Sequence, residues 1–138
     1  MKMGRLLAID YGMRRVGIAV TDTLQIIASG LTTVANKDVE AFLKKYLKEE
    51  EVDEIILGYP LGLDNQPTDL THEVAAFNIK LNEWFPTVPI RLVDERFTSK
   101  MAKATLISSG VPKKKRRNKA LLDEISATII LQEYLYNQ

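Results

Sequence analysis

The chain predicts an α/β fold with a mixed five-stranded sheet, three strands antiparallel and two added in parallel, flanked by helices. Three observations predict it. Two apolar runs, 5–11 and 16–21, are separated by a short turn containing Gly12, the spacing of a hairpin. A third run, 26–34, is rich in β-branched residues and follows directly, so the first three strands form a meander. Beyond it, strand-like runs alternate with stretches of helical periodicity, which adds strands in parallel. At 138 residues the chain is expected to form one domain, 1–138, with a sizeable core.

Each later element has its own signal. Asn36 is a candidate N-cap for a helix over 37–50, whose apolar side is Val39, Phe42, Leu43, Tyr46 and Leu47. The run 53–59 holds Ile55-Ile56-Leu57, suited to a strand buried on both faces. A loop spans 60–67. Leu70, Val74, Phe77, Leu81 and Phe85 recur at helical spacing and predict a helix over 68–85. The fifth strand is expected over 88–94. A helix over 98–109 stops at Gly110 and Pro112, and a last helix spans 119–136. The order is β-β-β-α-β-α-β-α-α.

Composition narrows the chemistry. The chain has no cysteine, which excludes disulfides, thiolate zinc sites and cysteine nucleophiles and fits a cytoplasmic location. No apolar run approaches the roughly 20 residues of a membrane span, and Asp10 interrupts the one that follows the N-terminal basic residues. No membrane partner is expected. Net charge is +1, so there is no global pull toward nucleic acid. The charge is uneven, however: Lys113, Lys114, Lys115, Arg116 and Arg117 are consecutive.

The acids stand in informative places. Asp10 ends the apolar run Leu6-Leu7-Ala8-Ile9, Asp94-Glu95 ends the fifth strand, and Asp123 lies near the start of the last helix. A carboxylate at the exit of a buried strand is costly unless it is paired or does chemistry. Three carboxylates from separate elements point to a divalent-metal site. Two of them about 4 Å apart would repel by roughly 4 kcal/mol at an effective dielectric of 20, so a cation or a shared proton is needed. Oxygen-only ligands suit Mg²⁺ or Mn²⁺.

Further residues carry the resemblance to a known family. They are Leu7-Ala8-Ile9-Asp10-Tyr11-Gly12 with Val16-Gly17-Ile18-Ala19-Val20-Thr21-Asp22, then Ile56-Leu57-Gly58-Tyr59-Pro60, then Asp94-Glu95-Arg96-Phe97-Thr98-Ser99. The basic run follows, then Asp123 with Ile129-Ile130-Leu131-Gln132. In this order the chain resembles the YqgF/RuvX family, on a ribonuclease H-like three-layer fold. The family is described as Holliday junction resolvases and as nucleases that mature the 5′ end of pre-16S rRNA. Two departures stand out. The loop reads Asp64-Asn65-Gln66 and the helix after it opens with Thr68-Asp69, where the family has an Asp-Gly turn and an Arg; Ser126 replaces a customary Ala.

The resemblance implies a two-metal nuclease with Asp10, Glu95 and Asp123 as catalytic metal ligands, leaving a 5′-phosphate and a 3′-hydroxyl. Side-chain alternation allows only one of Asp94 and Glu95 to join them, and Glu95 is the one implied; Glu124 is the reserve for Asp123. Asp22 is read first as a turn residue and only second as a helper. Lys113, Lys114, Lys115, Arg116 and Arg117 precede the helix bearing Asp123, which makes them phosphate contacts, with Arg14, Arg15 and Arg96 as secondary ones. His72, opposite the apolar stripe of its helix, is expected at the surface, and Trp84 and Phe85 in the core. The expected partners are pre-rRNA or branched DNA and ribosomal particles, with the chain a monomer or a homodimer. Two other functions fit parts of the pattern. Asp10-x-Gly12 with Gly17 resembles the phosphate hairpin of actin-like phosphotransferases, although those close two domains around the nucleotide. A non-catalytic nucleic-acid-binding module is the third reading, and the clustered acids speak against it.

Overall fold

The computed structural model describes residues 4–59, 69–94 and 119–136. In chain order these form β1 (Arg5–Tyr11), β2 (Arg15–Thr21), β3 (Ala28–Ala35), a 3-10 turn (Asn36–Asp38), α1 (Val39–Glu49) and β4 (Val52–Tyr59). Then come α2 (Asp69–Trp84), β5 (Ile90–Asp94) and α3 (Lys119–Tyr136). The sheet order is β3-β2-β1-β4-β5. β1 pairs antiparallel with β2 and β2 with β3, while β4 runs parallel to β1 and to β5. This is the mixed sheet the sequence predicts. The loop over 60–67 and the helix over 98–109 lie outside the described residues.

Alternation along each strand sorts side chains onto two faces. Leu7 and Ile9 of β1, Val16 and Ile18 of β2, and Ile55 and Leu57 of β4 pack against Val39 and Leu43 of α1 and Val74, Phe77 and Leu81 of α2. Leu6, Ala8, Ala19 and Ile56 take the other face, under Ala127, Ile130 and Leu131 of α3. Ile55, Ile56 and Leu57 are all fully buried, because β4 is covered on both sides. His72 is exposed, and Trp84 and Phe85 pack on the edge of the first cluster.

Three boundaries differ from expectation for local reasons. Asn36 does not cap α1. The helix begins after Asp38, which makes no side-chain cap. Asn36 instead donates from Nδ2 to the Gly12 carbonyl at 2.8 Å and from its backbone N–H to the Arg14 carbonyl at 2.9 Å. Turn carbonyls outside the ladder need partners, and Asn36 supplies two donors that clamp the β1–β2 turn. β3 starts two residues late because the Asp22 carboxylate accepts the N–H groups of Leu24, Ile26 and Ile27 at 3.0, 2.9 and 2.8 Å. Those bonds wrap the connector around one acid, with Gln25 in the left-handed region at φ 59°. Gln25 is held there by Nε2 donating to the Gly4 carbonyl and to Asp53 Oδ2. β5 starts at Ile90 because Pro89 has no N–H to give; its carbonyl accepts from Ile55 N–H.

Candidate metal centre on the α3 face

Asp10 belongs to the side of β1 that carries Leu6 and Ala8, the α3 face. Its register partner on β2 is Gly17. Above Gly17, α3 crosses so closely that a Cβ there would collide with the Asp123 carbonyl and lie 3.0 Å from the Glu124 amide nitrogen. Only glycine leaves room for a helix backbone to settle on the strand. Gly17 therefore sets the height of α3 and brings Asp123 down beside the end of β1 that carries Asp10.

Arg15 opens β2 with the same side-chain parity as Gly17. Its Nε donates to Asp123 Oδ2 at 2.9 Å, and the two side chains are 36% and 27% exposed. Both remain within reach of solvent. Gly12, Met13, Arg14, Arg15, Leu70 and Asp123 line an open cleft of about 330 Å³ at this point. A second cleft, about 430 Å³, lies at the other end of α3 between Gln25, Ile26, Ile27, Ala28, Gln132, Leu135 and Tyr136. Among the described residues its lining carries no charged side chain.

The other candidate acids separate from this pair. Glu124 turns toward β3: a Cβ on Gly30 would meet its carboxylate. On β5, Arg91 bonds to Glu54 on the α3 face and Val93 packs with the α3 cluster. Asp94 alternates with them and belongs to the opposite face. Asp22 follows the far end of β2 from Arg15 and serves its own turn, the role read first for it from the sequence. Its carboxyl is held below the usual carboxylate range chiefly by the Ile27 N–H and then by that of Ile26. Glu95, Arg96 and Lys113 through Arg117 lie outside the described residues. Among the described residues no three Asp, Glu, His or Cys side chains gather as a metal-binding group.

What is brought together is the Asp123 carboxylate of α3 and the Arg15 guanidinium of β2, while the α3 backbone at Asp123 lies over Gly17, the register partner of Asp10. The acids offer only hard oxygen donors, a set that fits Mg²⁺ or Mn²⁺ and suits neither copper nor a structural zinc. The Arg15–Asp123 pair, 108 residues apart in sequence, was not anticipated. The available signal was parity: Arg15, Gly17 and Ala19 alternate onto one face. No described helix is long and apolar enough to cross a membrane.

The comparisons with known proteins agree with this fold. Residues 4–137 match the family model described as RuvX: Holliday junction resolvase. A protein of Flavobacterium psychrophilum named "Putative pre-16S rRNA nuclease" is 53% identical over 133 residues, covering 96% of this chain and 97% of that one. One of Porphyromonas gingivalis, with the same name, is 50% identical over 135 residues, 98% of each chain. Among solved structures, "T. thermophilus RuvC in complex with Holliday junction substrate" superposes with a TM-score of 0.59 at 18% identity, covering 97% of this chain and 94% of that one. The fowlpox virus Holliday junction resolvase gives 0.55 at 13% identity, over 97% and 99%. These two share the fold, the ribonuclease H-like arrangement expected above. Coverage almost end to end at half identity makes this chain a member of the RuvX family and, with that family, a nuclease that hydrolyses phosphodiester bonds.

Proposed function

We propose that this nuclease is divalent-metal-dependent, that Asp10, Glu95 and Asp123 hold the metal, and that it trims the 5′ end of a pre-16S rRNA in the cytoplasm. The observation that carries the reading is the approach of α3 to Gly17, which sets Asp123 beside the strand end bearing Asp10. Asp94 belongs to the opposite face, which favours Glu95 as the third ligand. The names of the near-identical-length relatives favour the rRNA precursor.

The chain's own residues do three things in this reading. Asp10 extends a strand buried on both faces at Ala8 and Ile9, packing that restrains its backbone. Pre-set carboxylates of this kind hold a cation without reorganising at the moment of reaction. When bound, the metal activates water and stabilises the leaving oxygen of the phosphodiester. Arg14 and Arg15 border the open cleft and hold the nucleic-acid backbone there. Arg96 and the cations Lys113, Lys114, Lys115, Arg116 and Arg117 extend that contact. Such contacts fix register without reading bases, so substrate choice rests on shape and on a ribosomal particle as partner.

The test is cleavage of end-labelled substrates with Mg²⁺ or Mn²⁺, wild type beside Asp10→Asn. The substrates are a precursor-like RNA with a 5′ extension, unstructured RNA and a four-way DNA junction. The expected result is metal-dependent cutting of the 5′-extended RNA that disappears in Asp10→Asn. Preference for the junction would move the substrate to branched DNA. Cutting that survives Asp10→Asn would remove Asp10 from the site.

A further inference from the structure

We infer that Arg15 is an internal placeholder for the metal: its guanidinium holds Asp123 in the metal-free protein and swings into the adjoining cleft when a divalent cation takes that carboxylate. The inference rests on the reading of Asp10 and Asp123 as metal ligands. Three features of the geometry lead to it.

The first is competition for one acid. Arg15 Nε lies 2.9 Å from Asp123 Oδ2, at the carboxylate that a cation between α3 and β1 would need. A guanidinium and a divalent ion on neighbouring lone pairs repel each other, so full occupancy of both is disfavoured. The second is exchangeability. The partners are 36% and 27% exposed, so the pair can open into water without unfolding anything. The third is a place to go. The cleft of about 330 Å³ beside the pair is lined by Gly12, Met13, Arg14 and Leu70 as well. The turn below it is clamped by Asn36 through the Gly12 and Arg14 carbonyls. Arg15 thus pivots on a fixed backbone. Its planar fork matches the oxygens of a backbone phosphate, which a carboxylate otherwise keeps from it.

The consequence is coupling. Metal binding releases Arg15 for phosphate, and phosphate binding draws Arg15 from Asp123 and opens the carboxylate to metal. By linkage the two effects are equal. Arg15 is therefore a positioning residue that keeps Asp123 neutralised until both ligands arrive.

A structural ion pair and a placeholder predict opposite signs. If Arg15 only ties the hairpin to α3, its removal loosens Asp123 and weakens metal binding. If it competes, removal strengthens binding. The experiment is a Mn²⁺ titration of the full chain, followed by electron paramagnetic resonance of free Mn²⁺, on wild type, Arg15→Gln, Arg15→Met and Asp123→Asn without nucleic acid. Loss of one partly exposed ion pair sets the scale, so Arg15→Gln is expected to bind Mn²⁺ about fivefold more tightly. Arg15→Met, also uncharged, is expected to follow it, and melting curves identify either variant that fails to fold. A second titration uses a cleavage-resistant 2′-O-methyl RNA followed by anisotropy. Its affinity should rise with Mn²⁺ in wild type and lose most of that rise in Arg15→Gln. Mn²⁺ binding in the folded charge-free variants that is unchanged or weaker overturns the placeholder, provided Asp123→Asn loses Mn²⁺. Mn²⁺ binding that is absent in wild type, or unaffected by Asp123→Asn, overturns the metal reading together with it.

Discussion

The two faces of the sheet are built on different rules. Against α1 and α2 the strands present Leu7, Ile9, Val16, Ile18, Ile55 and Leu57, large side chains that interlock with Leu43, Phe77 and Leu81. Against α3 the central strands present Leu6 and Ile56 but also Ala8, Ala19 and Gly17, small residues gathered toward Asp123, and Gly30 continues that surface onto β3. Leu7 and Ala8 are equally inaccessible to water, so the small residues are not an answer to exposure. They lower the helix. On the first face helices ride on side chains; on the second a helix backbone rests close to the strand. The first arrangement maximises buried apolar area, and the second fixes where Asp123 stands. Stability and site geometry are thus carried largely by opposite sides of one sheet.

Neighbouring residues on β1 give the strongest way to break this division. Asp10→Asn should lower metal-dependent cleavage by about 10³-fold, or roughly 4 kcal/mol of barrier, while the melting temperature stays within a few degrees. Ile9→Ala, one residue away and facing α1 and α2, should do the reverse. It should cost about 3 kcal/mol in urea unfolding while cleavage per folded molecule stays within about twofold. Comparable loss of both properties in either variant would mean that the faces are not separable.

Gly17→Ala sharpens the comparison on the α3 face. The new methyl meets the Asp123 carbonyl and the Glu124 amide, which are helix backbone and cannot rotate away. α3 must lift, at an expected cost of about 1–3 kcal/mol, and cleavage should fall with it because Asp123 moves. Gly30→Ala is the control. The three atoms nearest its Cβ all belong to the Glu124 side chain, which can swing aside, so a cost of under about 1 kcal/mol is expected. Equal costs in the two unfolding curves would show that α3 does not bear on Gly17.

Much of this was legible in the chain because the signals were local. The span 119–136 carries one unbroken helical pattern, and α3 has the expected limits. The hairpin, the meander and the parallel additions followed from where runs end and turns begin. Asn36 has the sequence signature of a cap, an asparagine before a helix, but the pull of the Gly12 and Arg14 carbonyls comes from 24 and 22 positions away. The bulge in β3, where Ile18 faces Thr32 but Ala19 faces Gly30 and Leu31 is skipped, left no mark on the pattern of residue types. The individual acids Asp10 and Asp123 stood out as charges at the ends of apolar elements. Which groups meet them did not, since the Arg15–Asp123 pair forms only after β2 and α3 have packed. Periodicity reports one element at a time, and the site is a property of several.

The smallest expected effect tests whether a charge far from the α3 site acts on stability alone. Asp22 accepts three N–H groups in the connector between β2 and β3, and these bonds hold its carboxyl below the usual range. A depressed folded pKa stabilises the fold above the unfolded value of about 3.9 and ceases to do so as pH falls through the lowered folded value. Asp22→Asn keeps one acceptor oxygen but loses the charge. The variant should therefore melt slightly below wild type at pH 7, and the gap should close as pH is lowered from about 5 toward 3. Melting temperatures of both proteins at matched ionic strength across that interval measure it. A gap that stays constant with pH would assign the contribution to hydrogen-bond geometry instead of charge. Cleavage at pH 7 should be the same in both, because this turn is joined to the opposite end of β2 from Arg15; a loss of cleavage would show that the two ends of the strand are coupled.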